Sequence, residues 1–432
     1  MSNINLLADQ FDRMLAAEGC RKYTYTLSES EKQELNVKSG EFTLMRTVFN
    51  NSGSLKVFLD SRMGIASGND LSEDGLQKLI ADASAAAASS PEDPCHDIAP
   101  DQGSDTFRQG VWEPDLDKFV FRLKEFLDTV KTEYPKIRIL ELIGSFDKWH
   151  WLSRNTNGTS FEGFGGQYSF MAEISAFEGE KTTGFDFVDF SAKSLDIPFI
   201  EAGDVKRHLE DIQNSIYPES LEGKFEGTVI LTPRCAAEFL YMLIGNYASS
   251  GVIIDGTSLW LDKVGEKVAS DKLTVAFDPF DERIVNGERA TQDGFRAEKA
   301  VLIENGVLKA HQLSLYAANK TGRPVMKNDG GDLVVSPGET ALADMIASVD
   351  KGLLLGGFSG GEPGTNGEFS GVAKNSFLIE NGTIKCAVTE TMVNGNLGEV
   401  VKNIRAISRE LCLNGSAVVP YIAVDGIVIS GK

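Results

Sequence analysis

No stretch of this sequence approaches the roughly 18 unbroken apolar residues of a membrane-spanning helix, so a bilayer-crossing helix is excluded. It also has no C-x-x-C pair. Five cysteines, Cys20, Cys95, Cys235, Cys386 and Cys412, are scattered and odd in number, which argues against a disulfide framework or a cysteine-based zinc knuckle and for a reducing, cytoplasmic setting. The opening MSNINLLADQFDRMLAAEG reads as an acidic amphipathic helix without the basic start and apolar run of a secretion signal. Basic clusters are missing as well. Lys plus Arg number 42 against 63 Asp plus Glu, a net charge of −21, so long-range electrostatics oppose nucleic-acid and anionic-membrane partners. There is no Walker loop and no dinucleotide fingerprint.

What is present is an α+β pattern. The 432 residues suffice for two or three domains of about 150 residues. Residues 1–90 read as a first helix, an antiparallel meander and a helix capped by Ser72 that runs into the alanine-rich Ala81–Ala88. The meander strands fall at 23–27, 33–38, 43–49, 55–60 and 63–66, with turns at Lys38-Ser-Gly40 and Asn50-Asn-Ser-Gly53. Residues 91–110, proline-bearing and acidic, read as a linker. Residues 111–220 form a central unit: a helix over 115–133, alternating strands, a backbone bend at Gly163, Gly165 and Gly166, and a helix over 204–216. Residues 221–432 make the largest unit. There Leu302-Ile-Glu-Asn-Gly306 and Leu378-Ile-Glu-Asn-Gly382 repeat one pentapeptide, and Asn-Gly between apolar residues predicts two type I′ hairpins, by duplication or by convergence. Beyond them, 352–371 reads as a glycine-rich loop and 397–409 as a helix.

The stretch CAAEFLYMLIGNYASS, residues 235–250, centres this last unit. Ala236, Phe239, Leu240, Leu243 and Tyr247 share one helical face and predict core. The other face carries Glu238, Tyr241, Met242, Gly245 and Asn246, neither a charged solvent face nor an obvious reactive site.

Conventional catalytic signatures are weak. Gly357-Phe-Ser359-Gly-Gly361 matches the G-x-S-x-G elbow, but Glu362-Pro363 cannot open the helix it requires and no His lies beyond His311. The four histidines, His96, His150, His208 and His311, share no local spacing that would put two on one metal. Asp278, Asp281 and Glu282 form an acidic cluster that reads more readily as a solvated loop than as a cation site.

A resemblance carries the reading further. Gly367-Glu-Phe-Ser-Gly371, Phe377-Leu-Ile-Glu-Asn-Gly382, Val388-Thr-Glu-Thr-Met392, Gly395-Asn-Leu397, Gly415-Ser416 and Asp425 to Gly431, with Gly64-Ile-Ala-Ser-Gly68 upstream, resemble the TldD/PmbA family, most of all its PmbA (TldE) branch. The resemblance implies cytoplasmic proteins long labelled modulators of DNA gyrase, and a heterodimeric zinc protease that processes unfolded peptides. In the TldD branch the zinc site is an H-E-x-x-x-H helix with a distant Cys. Aligned on the shared Ile-Gly, those positions fall here on Tyr241, Met242 and Asn246, and the third, loosely, on Ser416, with Cys412 nearby. The resemblance therefore implies a chain without its own zinc or other cofactor. It would be the non-catalytic subunit, pairing with a TldD-like protease chain that carries zinc and helping to hold an extended peptide; a homodimer of the isolated chain stays open. The alternative is a stand-alone hydrolase, with Ser359 or the cluster around Asp281 as the place to look.

Overall fold

In the computed structural model, residues 4–432 are described. The first half contains α1 (Ile4–Ala17), β1 (Tyr23–Lys38), β2 (Glu41–Leu59), β3 (Arg62–Gly68), α2 (Glu73–Ser89), β4 (Ser104–Gly110), α3 (Leu116–Glu133), β5 (Ile137–Asn155), β6 (Ser160–Glu178), β7 (Lys181–Thr182), β8 (Asp186–Ala192) and α4 (Val205–Asn214). Its strands form one sheet in the order β3-β2-β1-β5-β6-β4, with β7 and β8 on β6.

Residues 1–90 and 111–220, read above as separate units, are therefore joined. Strand β1 pairs along its length with β5, from Thr24 opposite Asn155 to Lys38 opposite Glu141. Separate helices cover the two ends of these long strands. Tyr25 and Leu27 pack with Phe11 and Leu76 of α1 and α2, while Leu35 and Val37 pack with Phe119 and Leu123 of α3. Odd-numbered β1 residues share one face, so a single strand serves both cores. The end of the expected linker is a strand: β4 pairs in parallel with β6.

Two further expectations are corrected. Asn50 to Gly53 is no turn but the middle of β2, because Asn50 and Asn51 are registered against Ser30 and Glu29 and the ladder overrides local turn chemistry. Gly163, Gly165 and Gly166 do not bend the chain but lie inside β6. A Cβ on Gly163 would come within 2.3 Å of Trp151, so glycine is required there by an indole lying across the neighbouring strand.

The second half contains β9 (Glu219–Ser220), β10 (Lys224–Leu231), α5 (Pro233–Tyr247), α6 (Ser250–Ile254), β11 (Val275–Phe277), β12 (Ala300–Glu304), β13 (Val307–Leu308), α7 (Leu315–Thr321), β14 (Leu333–Val335), α8 (Leu342–Ala347), β15 (Lys351–Leu355), β16 (Gly357–Ser359), β17 (Glu368–Lys374), β18 (Phe377–Glu380), β19 (Thr383–Thr389), β20 (Met392–Asn396), α9 (Leu397–Val400), β21 (Ile404–Leu413) and β22 (Ala417–Ser430). Strands β10 and β22 are its spine, antiparallel to each other, with β15 parallel to β10. The fold is α+β with mixed sheets.

Alternation along β10 explains the layers. Val229 and Leu231 face the cluster that holds Phe239, Leu243 and Tyr247 of α5, whereas Ile230 faces Met345 of α8. Both Asn-Gly hairpins form with left-handed backbone, Asn305 and Gly306 at φ 48° and 78°, Asn381 and Gly382 at φ 50° and 71°. The glycine-rich stretch 352–371 is strand at both ends, in β15, β16 and β17, with loop over 360–367, and the helix expected over 397–409 stops at Val400 before β21. There, pairing of Ile404 with Val424 and Ile407 with Ile422 wins over helical spacing.

Candidate functional site

Helix α5 is positioned by its first turn. Thr232 caps it, its Oγ1 accepting from Cys235 N at 3.4 Å, and Pro233 takes the first-turn position where no amide is needed. Ala236, Phe239, Leu240, Leu243 and Tyr247 are all buried, as their spacing predicts. Of the remaining face, Glu238 and Tyr241 border a cleft of about 260 Å³ between the two halves of the chain, while Met242, Gly245 and Asn246 lie outside its lining. Phe187 to Asp189 of β8 and Asp204 and His208 around α4 form one wall; Arg234, Glu238 and Tyr241 of α5, with Cys412 and Asn414, form the other.

Tyr241 is 40% exposed, and its hydroxyl donates to Gly331 O at 3.3 Å. Burial and the nearby Asp332 charge push its phenol up, so it stays neutral. Met242 packs partly buried against the α5 core, and the Asn246 Nδ2 is enclosed without a hydrogen-bond partner. Ser416 lies in a turn in which its N and Oγ both donate to Asn414 Oδ1. Tyr241 and Cys412 thus meet at one cleft, while Ser416 stays outside its lining.

Zinc, implied by the resemblance, can be tested against these donors. The three helix positions offer a phenol, a thioether and a carboxamide, none of them the imidazole, thiolate or carboxylate that protein zinc sites use. Burial, with Asp204 adding to it, pushes the Cys412 thiol far up, away from the thiolate a metal needs. Among the described residues, no three His, Cys, Asp or Glu side chains are grouped so as to hold a metal. Tyr241, Met242, Asn246 and Cys412 therefore do not fit zinc.

Two charged clusters flank the open face of α5. His208 Nε2 lies 3.1 Å from Asp186 Oδ2, an ion pair off the line of a hydrogen bond. Burial opposes the His208 charge, but Asp186 outweighs it and the imidazole is held above its usual range. Asp186 moves the opposite way: burial works against its charge, and His208 pulls it below the usual carboxylate range. Asn375 also donates to Asp186 Oδ2, tying the β17–β18 turn to the start of β8. Beyond Tyr241 the charges are alike. Asp329 N donates to Glu288 Oε2 and Glu288 N to Asp332 Oδ2, both at 2.9 Å. Burial first, then the Asp329 carboxyl, push Glu288 up to about 8.

The other sequence candidates stand apart. Ser359 ends β16, which pairs antiparallel with β17, so no strand-to-helix elbow exists there. Asp281 is held by Arg283 at 2.8 and 2.6 Å, and Asp278 by Lys299 at 2.7 Å. His150 lies 2.7 Å from Glu162, and His96 stacks on Tyr316. Sequence reading passed over His208 as a cleft residue. Its partner Asp186 is 22 positions away on another element, and no local spacing signals the pair.

Comparison with known proteins agrees with the resemblance. Residues 223–431 match the PmbA/TldA metallopeptidase C-terminal domain and residues 26–87 match the PmbA/TldA metallopeptidase domain 1. Metalloprotease PmbA of Escherichia coli O157:H7 is 25% identical over 407 residues, covering 88% of this chain and 87% of its own. A metalloprotease of Methanocaldococcus jannaschii is 26% identical over 259 residues, 57% of this chain, and the chain spans only about half, 55%, of that relative's length. TldE from Thermococcus kodakarensis superposes with a TM-score of 0.83 at 21% identity, with both chains fully covered. A candidate modulator of DNA gyrase from Bacteroides thetaiotaomicron gives 0.86 at 22%, again over the whole of both chains. With matches at both ends of the sequence and one fold throughout, the chain belongs to the TldD/PmbA family.

Proposed function

We propose that this chain is the non-catalytic subunit of a peptide-processing metalloprotease, working beside a second family chain that carries the zinc. The observation behind this reading is the α5 face, where phenol, thioether and carboxamide stand at Tyr241, Met242 and Asn246. A thioether can neither activate water nor accept a proton, so a zinc-hydroxide mechanism has no base at position 242. The cleft beside α5 remains open and contributes a wall to the space in which an extended peptide lies.

A surface for the partner supports the assignment. β3 pairs only with Gly53–Leu59 of β2, so the outer edge of residues 41–52 has no neighbouring strand among the described residues. Phe42, Leu44, Met45 and Phe49 are exposed on this stretch, at 38, 44, 65 and 72%. Bare edges with exposed apolar side chains invite strand addition, and natural chains cover them. The five free cysteines support a reducing, cytoplasmic setting.

The test is to purify the chain alone and together with a family chain bearing H-E-x-x-x-H. The expected result is no zinc and no cleavage of an unfolded peptide by the lone chain, with both appearing in the pair. Replacing Phe49 and Met45 together by Lys is expected to abolish co-purification while leaving the chain folded. Stoichiometric zinc with peptidase activity in the lone chain overturns the reading.

A further inference from the structure

A second pocket, of about 340 Å³, shares no lining residue with the α5 cleft. It lies between β12 and the extended segment 323–327, with His311 in its wall. The body of the pocket is apolar: Val264, Ala300, Val301, Leu313, Val325 and Met326 line it. That volume falls at the small end of the range for ligand sites, about 300–1,000 Å³.

His311 gives the pocket a directional polar group. The residue is only 5% exposed, and its Nε2 lies 2.9 Å from Trp260 O. A carbonyl oxygen only accepts, so the ring proton sits on Nε2 and Nδ1 carries a free lone pair. Burial also pushes the imidazole below its ordinary range, which keeps it neutral. Nδ1 has no hydrogen-bond partner among the described residues, yet it is not among the fully enclosed unpartnered atoms. In a residue this buried, the access it retains runs through the pocket the residue lines.

The charge of the wall runs against that of the chain. Lys299, Lys309, Arg323 and Lys327 line the pocket against one carboxylate, Glu298, in a chain of net charge −21. Each cation pairs with an acid, Asp278, Glu304, Asp262 and Glu298 respectively, at 2.7–2.9 Å. The partners of Lys309, Arg323 and Lys327 are 51–82% exposed, so these three are surface pairs that cost little to exchange, whereas Lys299 is held by the buried Asp278.

We propose that this pocket binds a small amphipathic carboxylate, its apolar body against Val301, Leu313 and Met326, a hydrogen-bond donor on His311 Nδ1, and its carboxylate among the lysines and Arg323. Titration calorimetry on the full chain with three probes tests this. Indole-3-acetate has body, donor and charge; 1-naphthylacetate lacks the donor; indole-3-acetamide lacks the charge. Indole-3-acetate is expected to bind, with each of the others roughly fivefold weaker or worse, as one hydrogen bond or one weak ion pair is lost. His311→Phe is expected to erase the difference between the indole and naphthyl acids. Because His311 is buried, Val325→Trp at a half-buried wall position supplies a second variant, expected to block all three probes. Nitrogen NMR of the unaltered chain adds a third readout: of four histidines, one is expected to shift its unprotonated ring nitrogen on adding indole-3-acetate. Absence of binding, equal affinity for the three probes, or affinity untouched by Val325→Trp overturns the proposal.

Discussion

The two charged clusters beside α5 are built on opposite principles. On one side His208 and Asp186 are opposite charges that stabilise each other's ionised forms; on the other Glu288 shares its surroundings with the like-charged Asp329 and Asp332 and is forced toward neutrality. Their responses to pH nevertheless have the same sign at the alkaline end. His208 has a folded pKa above its unfolded value, so its contribution is complete below about pH 6.5 and is lost as pH rises through the raised value. Asp186, held low, contributes above about pH 4 and fails only in acid. Glu288, raised from 4.5 to about 8, binds its proton more tightly when folded, so stability drains away as pH climbs across that interval. Attraction and repulsion thus both make their clusters firmer near pH 6 than near pH 9.

Asp186→Ala should have the largest effect, because it strands His208 and also removes the acceptor of Asn375. A loss of about 3 kcal/mol in urea unfolding near pH 6 is expected, shrinking toward pH 9 as His208 becomes neutral in any case. A loss that stays constant across pH would mean that packing, not charge, sets the cost. Glu288→Gln tests the opposing cluster and should stabilise. The gain is expected to be on the order of 1–2 kcal/mol near pH 9 and close to nothing near pH 5, since the wild-type carboxyl is already protonated there. Destabilisation by Gln at pH 9 would show that the carboxylate is held by something stronger than the repulsion of Asp329.

These clusters mark the limit of what the sequence discloses. The core face of α5, the Ser72 cap and both Asn-Gly hairpins were legible because each depends on residues within one turn or one helical period. The long ladders were not. Asn50 to Gly53 has the composition of a turn, yet it runs straight, because β1 opposite it is pinned by β5 more than 100 positions downstream. The same blindness hid Gly163, whose reason is the ring of Trp151, and the cleft itself, whose walls come from β8, α4, α5 and β21. Tyr241, Met242 and Asn246, by contrast, fall on the one helix α5, so their being together needs no long-range pairing.

That helix sits between the two clusters and yields the smallest expected effect. Tyr241→His places one imidazole at the cleft, where the phenol is already two-fifths exposed and makes one long hydrogen bond, to Gly331 O at 3.3 Å. Loss of that bond should cost no more than about 1 kcal/mol. The variant should also stay free of zinc, measured by metal analysis after dialysis against micromolar zinc. One imidazole lacks the further ligands that a tetrahedral site demands: Met242 is a soft, uncharged thioether, Asn246 is a carboxamide, and the buried Cys412 thiol resists ionisation. Stoichiometric zinc in this single variant would mean that a third donor reaches α5 from outside the described arrangement. The two clusters would then be the first place to look, because Asp332 already bears on Tyr241 and His208 lines the same cleft.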